Sequence, residues 1–195
     1  MKCVCDTKPR ILEVAIALFS NRGYNGVSMR DVAGEVGISP PALYNHFDSK
    51  ETLYREAVMA AFEKKSARLI AALSECDEHL QCLRQFLEVL TAGIQDDLHF
   101  HRLMQRELLD ADAGRLAFLE SSIFGKVRQP LMALLEKLKP GCDVLLLSEM
   151  IFCMAGQHYS VRPARAHQEQ AEERSAAAVV ELVLQILTPY FEVGQ

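Results

Sequence analysis

The chain has no tryptophan among its 195 residues, and only 7% of them are aromatic. No apolar run reaches the roughly 18 residues that a membrane-spanning helix needs, so a helical membrane protein is excluded. The opening residues, MKCVCDTKPR, lack the apolar centre of a secretion signal. A soluble, cytoplasmic protein is therefore expected. Positive charge is also short: the net charge is −5, whereas nucleic-acid binders are usually basic. Enzyme signatures are missing too. There is no H-E-x-x-H, no P-loop, no G-x-S-x-G and no glycine-rich dinucleotide turn. Asp96, Asp97, His99 and His101 cluster in sequence without a defined partner spacing, so they support no catalytic or cofactor assignment.

The 6 cysteines are scattered at Cys3, Cys5, Cys76, Cys82, Cys142 and Cys153. Reduced thiols are the default for a cytosolic chain. Cys76, His79 and Cys82 share one helix face at three-residue intervals, and Cys3-x-Cys5 forms a close pair. Zinc sites use tighter or paired spacings, so no metal is expected, and a metal- or redox-sensing role stands as the alternative. What the chain does have is hydrophobic residues, at 50% of its length. That is ample for a core and argues against disorder. Helical periodicity runs almost throughout, which predicts an all-α protein of about nine helices.

The most informative stretch is Val27 to Tyr54, VSMRDVAGEVGISPPALYNHFDSKETLY. Ser28 is suited to cap a helix start, since its hydroxyl can accept from amides of the next turn. Val32, Ala33 and Val36 then share one face, and Gly37 suits the left-handed residue that ends a helix. Ile38 can fill the angle to the next helix. Ser39 caps that helix, with Pro40 at a first position where its missing N–H costs nothing. Ala42, Leu43 and Phe47 bury one side. Tyr44, Asn45 and His46 stay on the other. Asp48 or Ser49 caps a third helix with Lys50 in its first turn. Two short helices joined so tightly form a helix-turn-helix, whose second helix enters the major groove of DNA. Ile11, Leu12, Ala15, Ile16, Leu18 and Phe19 give the preceding helix a wide apolar face to back it.

From Ile11 to about Phe62 the chain resembles the DNA-binding domain of the TetR/AcrR family of transcriptional regulators. The resemblance is carried by Ala17, Leu18, Phe19, Gly23 and Tyr24, then Ser28, Asp31, Val32, Ala33, Gly37, Ile38 and Ser39, then Leu43, Tyr44, His46, Phe47, Ser49, Lys50, Glu51 and Leu53. Many relatives have a basic residue and a glycine where this chain has Pro40 and Pro41. The resemblance implies an all-α homodimer: an N-terminal three-helix DNA-binding domain, here residues 1–52, and a helical ligand-binding and dimerisation domain, here 53–195. It further implies a repressor released by a small molecule, with double-stranded operator DNA as partner. A helical adaptor that no longer binds DNA is a second alternative.

Charge is unevenly spread: residues 1–68 hold ten Lys or Arg against eight Asp or Glu, and the remainder eleven against eighteen. DNA contact must rest on local placement of Arg30, Lys50, Lys64, Lys65 or Arg68. Ser28 and Arg30 are expected to meet phosphate. Pro40, Pro41, Ala42 and Asn45 face base edges or thymine methyls. Tyr44 and His46 reach phosphate, as the family's matching Tyr does, and so does Lys50. The apolar leading edge of the second helix predicts readout by shape more than by hydrogen bonds.

Beyond the motif, helices are expected at about Lys50–Leu73, Glu78–Ile94, Leu98–Leu109, Arg115–Leu138 (kinked or restarted at Pro130), Asp143–Tyr159 and Gln168–Phe191. The middle helices supply Phe62, Leu69, Phe86, Leu90, Phe100, Leu103, Met104, Phe118 and Phe124 for an apolar effector pocket. His101, Gln105, Arg106, Glu107 and His158 are its possible polar groups. The last two helices are apolar on more than one side. Val144, Leu147, Ile151 and Met154, with Val180, Val183, Leu187 and Tyr190, are expected to form a four-helix bundle with a second copy.

Overall fold

A computed structural model describes residues 7–74, 78–160 and 175–192, and among the described residues every regular element is helical. Nine helices result: α1 (Thr7–Arg22), α2 (Met29–Val36), α3 (Pro40–Tyr44), α4 (Lys50–Ala72), α5 (His79–Asp96), α6 (Leu98–Asp110), α7, α8 (Val144–Ser160) and α9 (Ala176–Glu192). α7 is composite. It begins as Ala113–Leu119, passes through a π-helical turn at Glu120–Phe124 and continues as Gly125–Leu138. The interruption expected at Pro130 is thus displaced. Pro130 lies inside the last segment, and the irregular turn precedes it.

The chain packs as two compact units, Met1–Lys64 with Leu98–Ile123, and Lys65–Asp97 with Phe124–Gln195. In the first unit α1 buries Ile11, Ala15 and Phe19, and α2 buries Val32 and Ala33. Leu43, Phe47, Leu53 and Tyr54 complete that core with almost no exposure. These are the apolar positions at helical spacing, so sequence period and buried face agree. α6 packs along α1, an association between segments about eighty residues apart. Ser20 Oγ and His99 Nδ1 lie 3.0 Å apart across it, and Arg106 Nη2 donates to the Asn21 carbonyl at 2.9 Å.

In the second unit α5, α8 and α9 pack on one another, and the Gly125–Leu138 part of α7 packs on α5 and α8. Leu83, Phe86, Leu87, Leu131, Leu135, Ile151, Ala155 and Val180 form its centre. The Thr91 hydroxyl, buried in α5, donates to the Leu87 carbonyl at 2.8 Å and so remains satisfied. Leu147, Ile151, Val180, Val183 and Leu187 are buried inside this unit. Their apolar contacts are already made within one chain. On the same helices Leu145, Leu146, Met150, Leu182, Ile186 and Tyr190 are exposed. Of the residues expected at a dimer face, Tyr190 is exposed, and Val144 and Met154 are half-buried.

Candidate nucleic-acid interface

α2 starts at a reciprocal cap. Ser28 Oγ accepts from the Asp31 amide at 3.2 Å, and Asp31 Oδ2 accepts from the Ser28 amide at 2.7 Å. The hydrogen bonds from Ser28 hold the Asp31 carboxyl below its ordinary pKa. Both polar groups at the helix start are therefore committed to each other. Ser28 stays exposed, but Asp31 brings a negative charge to the place where phosphate is expected. Arg22 Nη1, 3.8 Å from Asp31 Oδ1, offsets part of it. Arg30 is exposed.

α2 ends where Gly37 takes a φ of 80°, a left-handed conformation that glycine adopts freely. Its amide and that of Ile38 both close on the Ala33 carbonyl at 3.0 Å, the Schellman arrangement. Ser39 Oγ then accepts from the Ala42 amide at 3.3 Å to start α3. Pro40 and Pro41 occupy the first turn, where their missing N–H groups leave no bond unmade. Leu43 is buried at 0% exposure, while Tyr44 on the same short helix is 50% exposed. Tyr44 thus keeps half of its side chain open to solvent. Pro41, Asn45 and His46 are exposed beside it, and Pro40 and Ala42 are half-buried.

Ser49, not Asp48, caps α4, accepting from the Thr52 amide at 3.0 Å. Lys50 has more to do than the sequence indicated. Its Nζ donates to the carbonyls of Tyr24 and Val27 at 3.0 Å each and lies 4.3 Å from the centre of the Tyr24 ring. An ammonium has three N–H groups, so one remains for phosphate. Asn25, Val27, Ser28, Arg30, Tyr44 and Lys50 line one shallow open groove. Among the other basic candidates, Lys65 is ion-paired with Asp97, Arg68 is exposed, and the Lys64 side chain lies outside the described ones.

The expected effector residues divide between the units. Phe62, Phe100, His101, Met104, Glu107 and Phe118 fall in the first; Phe86 and Phe124 fall in the second. The His158 side chain lies outside the described ones. Phe62 and Phe100 stack with ring centres 6.3 Å apart. Phe118 lies under the Arg55 guanidinium at 4.9 Å, and Phe86 meets Phe152 edge-on. Phe124 is half-buried and Met104 is buried. Burial lowers the pKa of His101, so its ring is neutral near pH 7. Glu107 is fully buried, and its Oε2 accepts from Arg115 Nε at 2.6 Å. Arg115 has no sequence signal for this role, because a partner eight residues back across a loop matches no helical spacing.

Among the described residues no group of three or more His, Cys, Asp or Glu side chains could hold a metal ion. Cys3, Cys5 and Cys76 lie outside the described residues. Cys142 and Cys153 are free thiols, and Cys82, buried in α5, is disulfide-bonded, against the default of reduced thiols. No described helix is long and apolar enough to cross a membrane.

A capped helix, a left-handed glycine turn and a second short helix with one buried and one outward polar side define a helix-turn-helix protein. Residues 11–57 match the family model of the bacterial regulatory proteins of the tetR family. Over 80 residues the chain is 35% identical to IcaR of Staphylococcus aureus, the negative transcriptional regulator of the biofilm operon icaADBC. That similarity spans 41% of this chain and 43% of IcaR, less than half of either. Two solved structures share the fold over almost the whole length. FadR of Bacillus subtilis, in complex with stearoyl-CoA, has a TM-score of 0.76 at 17% identity, covering 92% of this chain and 96% of FadR. KstR2 of Mycobacterium tuberculosis, a ketosteroid transcriptional regulator, has a TM-score of 0.71 at 23% identity, covering 94% and 93%.

Proposed function

We propose that the protein is a transcriptional repressor that binds a palindromic operator as a homodimer and is released by a small, largely apolar effector. The observation that carries the DNA-binding part is the division of α3: Leu43 is buried, while Tyr44, Asn45 and His46 are exposed beside Pro41. Such a helix offers side chains to a major groove while its apolar side anchors it. The 35% identity to a negative regulator over 80 residues favours the same reading.

Residues 1–52 act as the DNA-binding domain and 53–195 as the effector and dimerisation domain in this reading. The second copy covers Leu145, Leu146 and Met150 of α8 with Leu182, Ile186 and Tyr190 of α9, which are exposed in the single chain. Two α3 helices then meet grooves roughly 34–36 Å apart. The effector is largely apolar because phenylalanine, leucine and methionine dominate the helices between the domains' ends. FadR bound to stearoyl-CoA and the ketosteroid regulator KstR2 favour the same chemistry. Release is a population shift in which effector favours a form that fits the operator less well.

Genomic fragments retained by the purified protein, sequenced, test the reading. The expected outcome is one inverted repeat, lost with Tyr44→Ala. No enrichment even at low salt would overturn it and favour the helical adaptor.

A further inference from the structure

The first unit contains a buried polar cluster that the DNA-facing surface does not require. Glu107 of α6 is fully buried, and Arg115 of α7, its partner, has a side chain only 12% exposed. The second oxygen of Glu107 is buried as well, with the buried hydroxyl of Tyr54 beside the carboxylate. A buried ion pair is a weak source of stability, because desolvation offsets its attraction, and apolar side chains of similar size often serve folding as well. The pair therefore calls for another reason.

Its neighbours supply one. The Arg115 guanidinium lies 4.6 Å from the centre of the Tyr24 ring. Tyr24 stacks on Phe19 at 5.9 Å and meets Tyr54 edge-on at 5.2 Å. Lys50 lies over the same Tyr24 ring and donates to the Tyr24 and Val27 carbonyls. Val27 directly precedes Ser28, the cap of α2. A continuous set of contacts thus joins α6 and α7 to the start of α2.

We propose that Arg115, held by Glu107, is a positioning residue for DNA binding: through the Tyr24 ring it fixes the turn Tyr24–Val27 and Lys50, and so the seat of α2 on the phosphate backbone. This rests on the DNA-binding reading above. Arg115 itself touches no DNA. Its role is to hold a turn that glycine-containing, exposed sequence (Asn25-Gly26) leaves loosely determined on its own.

The test uses the full chain and the genomic fragment that the unaltered protein retains. Glu107→Leu combined with Arg115→Met replaces the pair by apolar side chains. The melting temperature is expected to hold, while affinity for the fragment falls about tenfold. Tyr24→Leu produces a similar loss, and adding it to the double variant costs nothing further, since both act through one contact. Should the double variant fail to fold, Glu107→Gln leaves shape intact and still weakens binding, whereas Arg115→Lys retains more affinity than Arg115→Met.

A folded double variant with unaltered affinity would overturn the proposal, as would Glu107→Gln binding like the unaltered protein. Absence of any retained fragment with the unaltered chain would defeat the DNA-binding reading, and the positioning role with it. Retention by the unaltered chain with indifferent variants defeats the positioning role alone.

Discussion

Tyr54 carries the cluster's one clear pH signature. Its hydroxyl is buried beside the Glu107 carboxylate. Burial first, and then the negative charge of Glu107, raise its pKa far above the ordinary tyrosine value of 10.0. The folded state holds the phenol neutral where the unfolded chain would ionise it. A raised folded pKa means that this stability is present in full below pH 10.0 and is lost as pH climbs towards the folded value. Melting temperature is therefore expected to fall above that pH, and Tyr54→Phe to blunt the fall. A Tyr54→Phe protein as alkali-sensitive as the parent would contradict this. Residues whose partners are local, such as Ser28, Ser39 and Gly37, were legible in the sequence because caps and turns need particular side chains at fixed offsets. The ties of Lys50 to Tyr24 and Val27, and of Arg115 to Glu107, were not. Nothing in local spacing encodes a carbonyl or a carboxylate that the fold brings near.

Among the elements, α2 offers a direct check of local chemistry. Gly34 lies mid-helix and exposed, and a methyl group added there meets nothing within 4 Å. Gly34→Ala is expected to stabilise by about 1 kcal/mol, readable by denaturant titration. Gly37→Ala, at a φ of 80°, is expected to cost a similar amount, because the turn needs a left-handed residue. Equal effects of the two changes would contradict the assignment of the turn. α3 sets the chemistry of recognition. Pro40 and Pro41 offer no amide donor, and Asn45 is the exposed amide side chain near them. Asn pairs best with adenine, and apolar groups contact the thymine methyl. The operator half-site is thus expected to hold A·T pairs opposite α3. Substituting deoxyuridine for thymidine at those pairs should weaken binding several-fold, and undiminished binding would refute the apolar contact. The boundaries of α4 to α6 and α8 followed from periodicity, and the start expected for α9 at Gln168 lies outside the described residues, but the π-helical turn at Glu120–Phe124 did not follow. Its signal is one extra residue in a regular pattern, and Pro130 drew the expected break towards itself.

For the whole molecule the decisive facts are long-range. α6 joins α1 in the first compact unit, a pairing that no single stretch announces, since the apolar stripe of α6 fits many partners. The apolar surplus of α8 and α9 was plain from composition. Which side faces the chain's own core and which is left over depends on how α5 and α7 pack there. Leu147 and Leu187 went inward, and Leu146 and Ile186 outward. If the outward side joins two copies, Met150→Arg with Ile186→Arg is expected to give a folded monomer by sedimentation, with operator affinity reduced more than tenfold through lost bivalency. An unchanged dimer would place the interface elsewhere.

In the proposed repressor, two α3 helices read two successive major grooves. Hydroxyl-radical footprinting of the retained operator measures it most directly. Two equivalent protected patches are expected on one face of the duplex, centred roughly 34–36 Å apart and both lost with Tyr44→Ala. A single patch, or protection that survives Tyr44→Ala, would contradict it.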